Sequence, residues 1–251
     1  GTPVTVDRTR EALEGDDYRV VAVVHAETST GVRNPVDEIA SLVRQSNALL
    51  LVDTVTSLGG LPVTCDAWGA DIVYSGTQKC LSCPPGLAPL TVSERAHERL
   101  TGRSTKVPNW YLDLSLLTSY WAGAKRSYHH TAPINMIYGL HRSLSNLLEE
   151  GLQAAHARHR RVHEELASGL EKLGLSLFVE PDYRLPMLNA VTVPEGVDET
   201  AVRTRLLEEF DIEIGAGLGP LAGRIWRIGL MGETARSSSV ERLTDALRTV
   251  L

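Results

Sequence analysis

Asp71-Ile-Val-Tyr-Ser-Gly-Thr-Gln-Lys79-Cys-Leu-Ser-Cys-Pro-Pro-Gly86 is the stretch on which the fold turns. A short apolar run with β-forming residues ends in small polar ones, then sets a single lysine ahead of a Pro-Pro-Gly turn. Desolvation disfavours a charged amine at the end of a buried strand, and an amine kept neutral is a nucleophile fit for a Schiff base. The plainer alternative is a surface lysine on a loop. The flanking sequence decides between them.

Upstream, Ala48-Leu-Leu-Leu-Val-Asp53 carries an apolar run straight into an aspartate, followed by Thr54-Val-Thr-Ser-Leu-Gly-Gly60. This is the pattern of a fully buried parallel strand ending in a carboxylate. Ligands of open parallel sheets collect at such carboxyl ends. A buried aspartate requires a cationic partner or several hydrogen-bond donors. The pyridinium nitrogen of pyridoxal phosphate is such a partner, and a lysine Schiff base with an aspartate on that nitrogen is a recurrent protein contribution to its chemistry. Alone, Asp53 reads as a helix cap or turn residue; followed by Lys79 it reads as half of a cofactor pair.

Further blocks stand in order along the chain: His25-Ala-Glu-Thr-Ser-Thr-Gly-Val32, Tyr74-Ser-Gly-Thr-Gln-Lys79 with Pro84-Pro-Gly86, Tyr128-His-His-Thr131-Ala-Pro133, and Gly215-Ala-Gly-Leu-Gly-Pro220 with Trp226-Arg-Ile-Gly-Leu230. With the Asp53 block they resemble the class V aminotransferases among the fold-type I pyridoxal-phosphate enzymes, nearest the alanine–glyoxylate and serine–pyruvate aminotransferases. The resemblance implies transfer of an amino group from alanine or serine to glyoxylate or pyruvate. It implies pyridoxal 5'-phosphate held on Lys79, whose freed amine then carries the substrate proton, and Asp53 keeping the pyridinium protonated. It assigns cofactor hydrogen bonds to Thr28 and Gln78. Arg227 would clamp the substrate α-carboxylate in bidentate fashion, a geometry lysine cannot reproduce. Tyr128 and Thr131 would reach across a dimer interface to the neighbour's cofactor phosphate, and Gly217-Leu-Gly-Pro220 would line the substrate side. Read without the resemblance, Gln78 is a turn residue and Arg227 an edge-strand arginine in a surface ion pair; nearby Arg224 fits no family position.

The chain departs from the family in one respect. Complete members carry an N-terminal segment that supplies an arm across the dimer, a Gly-rich phosphate turn at a helix N-terminus, and an aromatic residue stacked on the cofactor ring. Neither Gly59-Gly60 nor Gly215–Gly219 is placed to replace that turn. The expectation is a C-terminal portion that requires an N-terminal complementary polypeptide and at least a homodimer. Alternatives are another class V activity (2-aminoethylphosphonate or ureido-amino-acid aminotransferase, or lyase) and a non-catalytic subunit or pseudoenzyme. The joint presence of Lys79, Asp53 and Arg227 counts against the last.

Bulk properties narrow the field. A net charge of −6 offers no general attraction for nucleic acid or anionic membrane. No apolar run approaches the ~20 residues that span a bilayer. Gly1-Thr-Pro-Val-Thr-Val-Asp-Arg8 lacks the basic-then-apolar pattern of a signal peptide. Cys65, Cys80 and Cys83 are odd in number and sparse, which suits a reducing compartment, the cytoplasm. Cys80-Leu-Ser-Cys83 has CxxC spacing but no further ligands at zinc-like spacing, so no metal is expected and the pair reads as small residues packed near the pocket.

In chain order, residues 5–14 predict an amphipathic helix, 18–25 a buried strand, 27–31 a polar turn at its end, 35–44 a helix, and 71–74 and 87–92 strands. The alternation predicts an α/β layered unit with a mostly parallel sheet. An aromatic connector from Asn109 runs through Lys125-Arg-Ser-Tyr128. Pro133 then opens a long helical stretch to Leu173, with Gly174 as its stop and the basic cluster Arg158–Arg161 as a solvated face. The remainder reads as strands at 176–179 and 189–193, a helix at 199–210, strands at 212–214 and 225–229, and a helix at 240–251. Residues 1–150 are therefore assigned to part of a cofactor-binding large domain and 151–251 to a smaller C-terminal α+β domain, with a cleft between them.

Overall fold

The computed structural model describes residues 1–121 and 127–251, so Lys125 and Arg126 of the connector lie outside the described residues. Helix α1 (Val6–Gly15) opens the chain, its first turn capped by the Thr5 hydroxyl, which accepts the Arg8 N–H at 3.2 Å. Strand β1 (Val20–Val24) leads into the short hairpin β2 (Ala26–Glu27) and β3 (Val32–Arg33). Helix α2 (Val36–Val43) follows, then β4 (Leu49–Asp53), the one-turn α3 (Cys65–Trp68), β5 (Ile72–Tyr74) and β6 (Leu90–Val92).

These strands form a sheet in the order β1-β4-β5-β6, with β1, β4 and β5 parallel and β6 antiparallel. The fold is the expected α/β layering with one antiparallel edge. The strand expected at 87–92 is confined to Leu90–Val92: Pro89 has no N–H to give the ladder, although its carbonyl accepts the Ser75 N–H at 2.8 Å. Leu50, Val52 and Val73 bury against Val36, Ile39, Ala40 and Trp68, which packs α2 and α3 onto the sheet. Central β4 is almost continuously apolar because it is covered on both faces. Its last residue is Asp53, level with Val24 on one side and Tyr74 on the other.

Helices α4 (Glu94–Thr101) and α5 (Leu114–Trp121) precede α6 (Ile134–Glu150) and α7 (Leu152–Lys172). The expected single helical stretch thus breaks at Gly151, whose φ of 88° and ψ of 134° suit glycine and end α6 through a hydrogen bond to the Leu147 carbonyl. Helix α6 buries none of its residues and leaves Ile134, Ile137, Tyr138 and Leu148 exposed. Trp110, Tyr111, Leu112, Trp121 and Tyr128 are exposed as well.

The basic cluster on α7 is not a solvated face. Arg158 pairs with Glu150 through both carboxylate oxygens (2.5 and 2.8 Å) and donates to the Gly232 and Ala235 carbonyls, and His159 is buried. Only Arg160 and Arg161 point to solvent.

The last part of the chain holds β7 (Leu188–Thr192), α8 (Glu199–Phe210), β8 (Gly215–Ala216), β9 (Ile225–Gly229) and α9 (Ser237–Val250). Its antiparallel sheet has the order β7-β9-β8. Two expected strands differ. Residues 176–179 make only a single bridge, Leu177 to Val191, and the strand expected at 212–214 forms one step later, at β8. Trp226, Val191, Leu166, Leu170, Leu206 and Leu247 form the core between this sheet and helices α7, α8 and α9. A third cluster, Ala26, Leu61, Cys80, Leu185, Met187 and Leu188, joins the segment around the lysine to β7.

Candidate active site

Because β1, β4 and β5 are parallel neighbours, the segments leaving their carboxyl ends converge. They carry Thr28, Asp53 and the Gln78-Lys79 pair. Lys79 does not sit at the strand end itself. It lies in a tight turn beyond Tyr74 and is half-buried rather than enclosed, while Gln78 is exposed. The turn is closed by its own bonds: the Lys79 carbonyl accepts the Ser82 N–H at 2.9 Å, the Thr77 carbonyl accepts the Cys83 N–H at 3.0 Å, and the Thr77 hydroxyl donates to the Pro84 carbonyl at 2.7 Å. The Cys80 thiol is buried and donates to the Thr56 carbonyl at 3.3 Å, which ties the turn to the segment leaving Asp53. Burial pushes that thiol up to about 12, so it stays protonated. Cys83 is buried too, and all three cysteines are free.

Asp53 accepts the Val55 N–H at 2.8 Å on one carboxylate oxygen and the Tyr74 hydroxyl at 2.6 Å on the other. Tyr74 was not singled out in the sequence, although it stands level with Asp53 on the neighbouring strand. Its hydrogen bond to the carboxylate, with burial and the Asp53 charge, pushes the phenol up to about 12. Beneath the strand ends the buried His25 bonds Ser57 (Nδ1 to Oγ, 3.0 Å) and meets Trp68 edge-on. Burial, and secondarily the Arg33 charge against an opposing Asp37, lowers His25 to about 4.

Arg227, on β9, reaches across to this cluster. Its Nε donates to the Ala216 carbonyl at 2.7 Å and its Nη1 to the Thr28 carbonyl at 3.1 Å. A guanidinium has five N–H donors, so three remain, on both terminal nitrogens, enough for a forked contact with a carboxylate. Arg227 is thus no surface ion pair, whereas Arg224 is exposed. Tyr128 and Thr131 are not brought into this group. Both are exposed and bond each other (hydroxyl to hydroxyl, 2.7 Å).

The similarity to known proteins agrees with this geometry. The model of the aminotransferase class-V family matches residues 2–238. The chain belongs to the class-V aminotransferase family. Alanine–glyoxylate aminotransferase of Oryctolagus cuniculus is 40% identical, with 100% of this chain and 65% of the relative covered. The crystal structure of the alanine–glyoxylate aminotransferase from Nostoc sp. superposes with a TM-score of 0.96 at 52% identity, covering 100% of this chain and 66% of that one. (S)-Ureidoglycine–glyoxylate transaminase of Bacillus subtilis (strain 168) is 39% identical over 93% of this chain and 60% of its own. The chain therefore spans roughly two-thirds or less of the length of these class-V relatives.

Family membership implies pyridoxal 5'-phosphate, and the residues present fit it. Among the described residues the Lys79 amine, the Gln78 amide and the Thr28 hydroxyl make no hydrogen bond or ion pair within the protein. Each Asp53 oxygen keeps a lone pair beyond its single bond, so the carboxylate has room for a further cation or donor. Among the described residues no cluster of His, Cys, Asp or Glu is arranged for a metal ion, and no helix is long and apolar enough to cross a membrane.

Proposed function

We propose that this chain is the C-terminal portion of an aminotransferase that moves an amino group from alanine or serine to glyoxylate or pyruvate. One observation carries the reading. The segments carrying Thr28, Asp53 and Lys79 leave neighbouring strand ends and Arg227 bonds the Thr28 carbonyl, in a chain that matches alanine–glyoxylate aminotransferases over its whole length.

Bound pyridoxal phosphate supplies an electron sink for the carbanion left when the substrate's α-proton departs. The protein's part follows from its side chains. The Lys79 Nζ would hold the cofactor, and as a free amine it would be the base for the substrate's α-proton. Asp53 would supply the negative charge that keeps the cofactor's ring nitrogen protonated, and Thr28 and Gln78 would be hydrogen-bond donors to the cofactor. Arg227 forks onto the α-carboxylate and so presents Cα to Lys79.

Tyr128 and Thr131 serve the neighbouring subunit's phosphate, a role consistent with their exposure in their own chain. The working species holds two copies of the chain and an N-terminal segment of roughly 100–130 residues, a usual domain size. Support comes from the apolar face of α6 and the connector, and from exposed Val20 and Leu90 on the two edge strands. Residues 1–150 act as the cofactor-binding part and 151–251 as the smaller domain that brings Arg227. The ureidoglycine relative supports a second reading in which the donor is a ureido-amino acid with glyoxylate still the acceptor.

The test uses the chain completed with its N-terminal segment and supplied with pyridoxal phosphate. Alanine and glyoxylate should give pyruvate and glycine, and Lys79→Ala should lose both the visible absorbance band and turnover while keeping its circular dichroism. Parallel assays with serine and (S)-ureidoglycine rank the donors. Turnover by Lys79→Ala, or none by the parent with any donor, refutes the proposal.

A further inference from the structure

We infer that Ser82 and Gly232 form a joint that sets the Lys79 turn against the segment carrying Arg227, and that both are positioning residues for the amino-acid substrate. The inference rests on the function proposed above. Ser82 follows Lys79 in the same turn, and Gly232 follows Arg227 just beyond β9, at the start of a short 3-10 turn, Gly232–Thr234.

The contact between them is close and polar. The Ser82 hydroxyl accepts the Glu233 N–H at 2.8 Å. Ser82 holds a φ of 55°, in the left-handed region that non-glycine residues seldom occupy. Gly232 has a φ of 54°, and a Cβ there would fall 1.8 Å from the Ser82 Oγ and 2.9 Å from the Cys80 carbonyl. Only glycine fits.

The far side of the Gly232 segment is immobilised by α7. The Gly232 N–H donates to the His159 Nε2 at 3.0 Å. His159 can accept there because its Nδ1 carries the proton and donates to the Ala155 carbonyl at 2.7 Å. Arg158, fixed by Glu150, donates to the Gly232 carbonyl at 2.7 Å and the Ala235 carbonyl at 3.1 Å. The Lys79 turn therefore has two anchors. Cys80 ties it to the Asp53 side through Thr56, and Ser82 ties it to the Arg227 side through Glu233.

Gly232 is buried while Ser82 and Glu233 lie at the surface, and a joint of this kind has a consequence for binding. An amino acid held by its carboxylate on Arg227 must present Cα to Lys79, and small errors in that separation are costly. The Ser82 contact governs that separation and leaves the Cys80 anchor, and so the relation of Lys79 to Asp53, untouched.

Ser82→Gly in the completed, cofactor-loaded protein tests this, since glycine tolerates the positive φ and only the hydroxyl is lost. 2-Methylalanine is the probe: it has no α-hydrogen, so it binds without proton loss, and its Kd is read from the visible band. The expected result is a Kd for 2-methylalanine and a KM for alanine about three- to ten-fold higher, the scale of one lost hydrogen bond. Cofactor affinity and Tm should stay near those of the parent. Gly232→Ala should do worse, and adding Ser82→Gly to it should recover part of the loss, because the atom the new methyl strikes is gone. An unchanged Kd in Ser82→Gly overturns the inference, as does a loss of cofactor affinity and Tm in step with it, which would mark a merely structural contact. A parent protein without a visible band would instead refute the functional reading itself.

Discussion

Replacing Asp71 by asparagine should be among the most damaging isosteric changes in the chain. Asp71 is 3% exposed and receives donors on both carboxylate oxygens. One oxygen accepts the Leu50 N–H at 2.8 Å together with the Arg95 Nη2; the other accepts the Ser93 hydroxyl and the Arg95 Nε, each at 2.9 Å. The group thereby ties β4, β5 and the start of α4 together. Asparagine offers only one oxygen. Whichever way its amide turns, two of the four donors meet an N–H₂ group. Losing two such bonds, one of each pair to a guanidinium half open to solvent, costs about 2–4 kcal/mol, a large share of an ordinary domain's stability. Urea titration at pH 7, with parent and variant compared by midpoint and slope, reads this directly. Burial alone would raise the Asp71 carboxyl, but the bonds from Arg95, Leu50 and Ser93 outweigh it and hold it below its ordinary value. The stabilisation is therefore complete above the unfolded value near 3.8 and is lost as pH falls through the lower folded one. The gap between parent and variant should be constant above about pH 5 and narrow below pH 4. A gap under about 0.5 kcal/mol at pH 7, the scatter of ordinary surface changes, refutes the reasoning.

Three other outcomes are expected. Arg227→Lys should lower kcat/KM for carboxylate substrates by about 1–3 kcal/mol, since an ammonium with three N–H donors cannot bond the Ala216 and Thr28 carbonyls and fork onto a carboxylate at once; unchanged kinetics would place the arginine outside the site. His25 is held neutral with a value near 4, so its contribution is full above pH 6.5 and about 3 kcal/mol is lost as pH falls to 4; His25→Gln, which does not titrate, should show a correspondingly flatter profile of urea midpoint against pH. Mixing Lys79→Ala with Tyr128→Ala protein and allowing subunits to exchange should restore part of the activity, because one site of the mixed dimer would regain both groups; no recovery after demonstrated exchange argues against shared sites.

The features legible in the sequence were those with local causes. The apolar run into Asp53 and the small residues around Lys79 announce a strand end whatever lies beside it, and the family blocks nominate Thr28, Gln78 and Arg227 as expected site residues. Features set by partners distant along the chain were not legible. Tyr74 bonds Asp53 only because β4 and β5 are in that register. Arg158 sits in a run of basic residues balanced by nearby glutamates, so its composition reads as solvent-facing. Its carbonyl partners belong to the segment after β9. Gly151 was readable in principle: a glycine inside a long helical pattern is a break signal. The apolar spacing on both sides continues in phase and hides it.

The way Arg227 is held draws on both sheets. An arginine free to swing would lose rotamer entropy each time it bound a carboxylate, a cost of the order of 1–2 kcal/mol for so long a side chain. Here the Ala216 carbonyl, on the neighbouring strand of its own sheet, fixes Nε, and the Thr28 carbonyl, beyond the end of β1, fixes Nη1. The guanidinium is thus oriented before any substrate arrives, and part of that orientation comes from the same polar turn that carries the proposed cofactor ligand Thr28. A displacement of the smaller sheet relative to the larger one would loosen the clamp and shift the Ser82–Gly232 joint together. Both contacts therefore bear on the relative placement of Lys79 and Arg227.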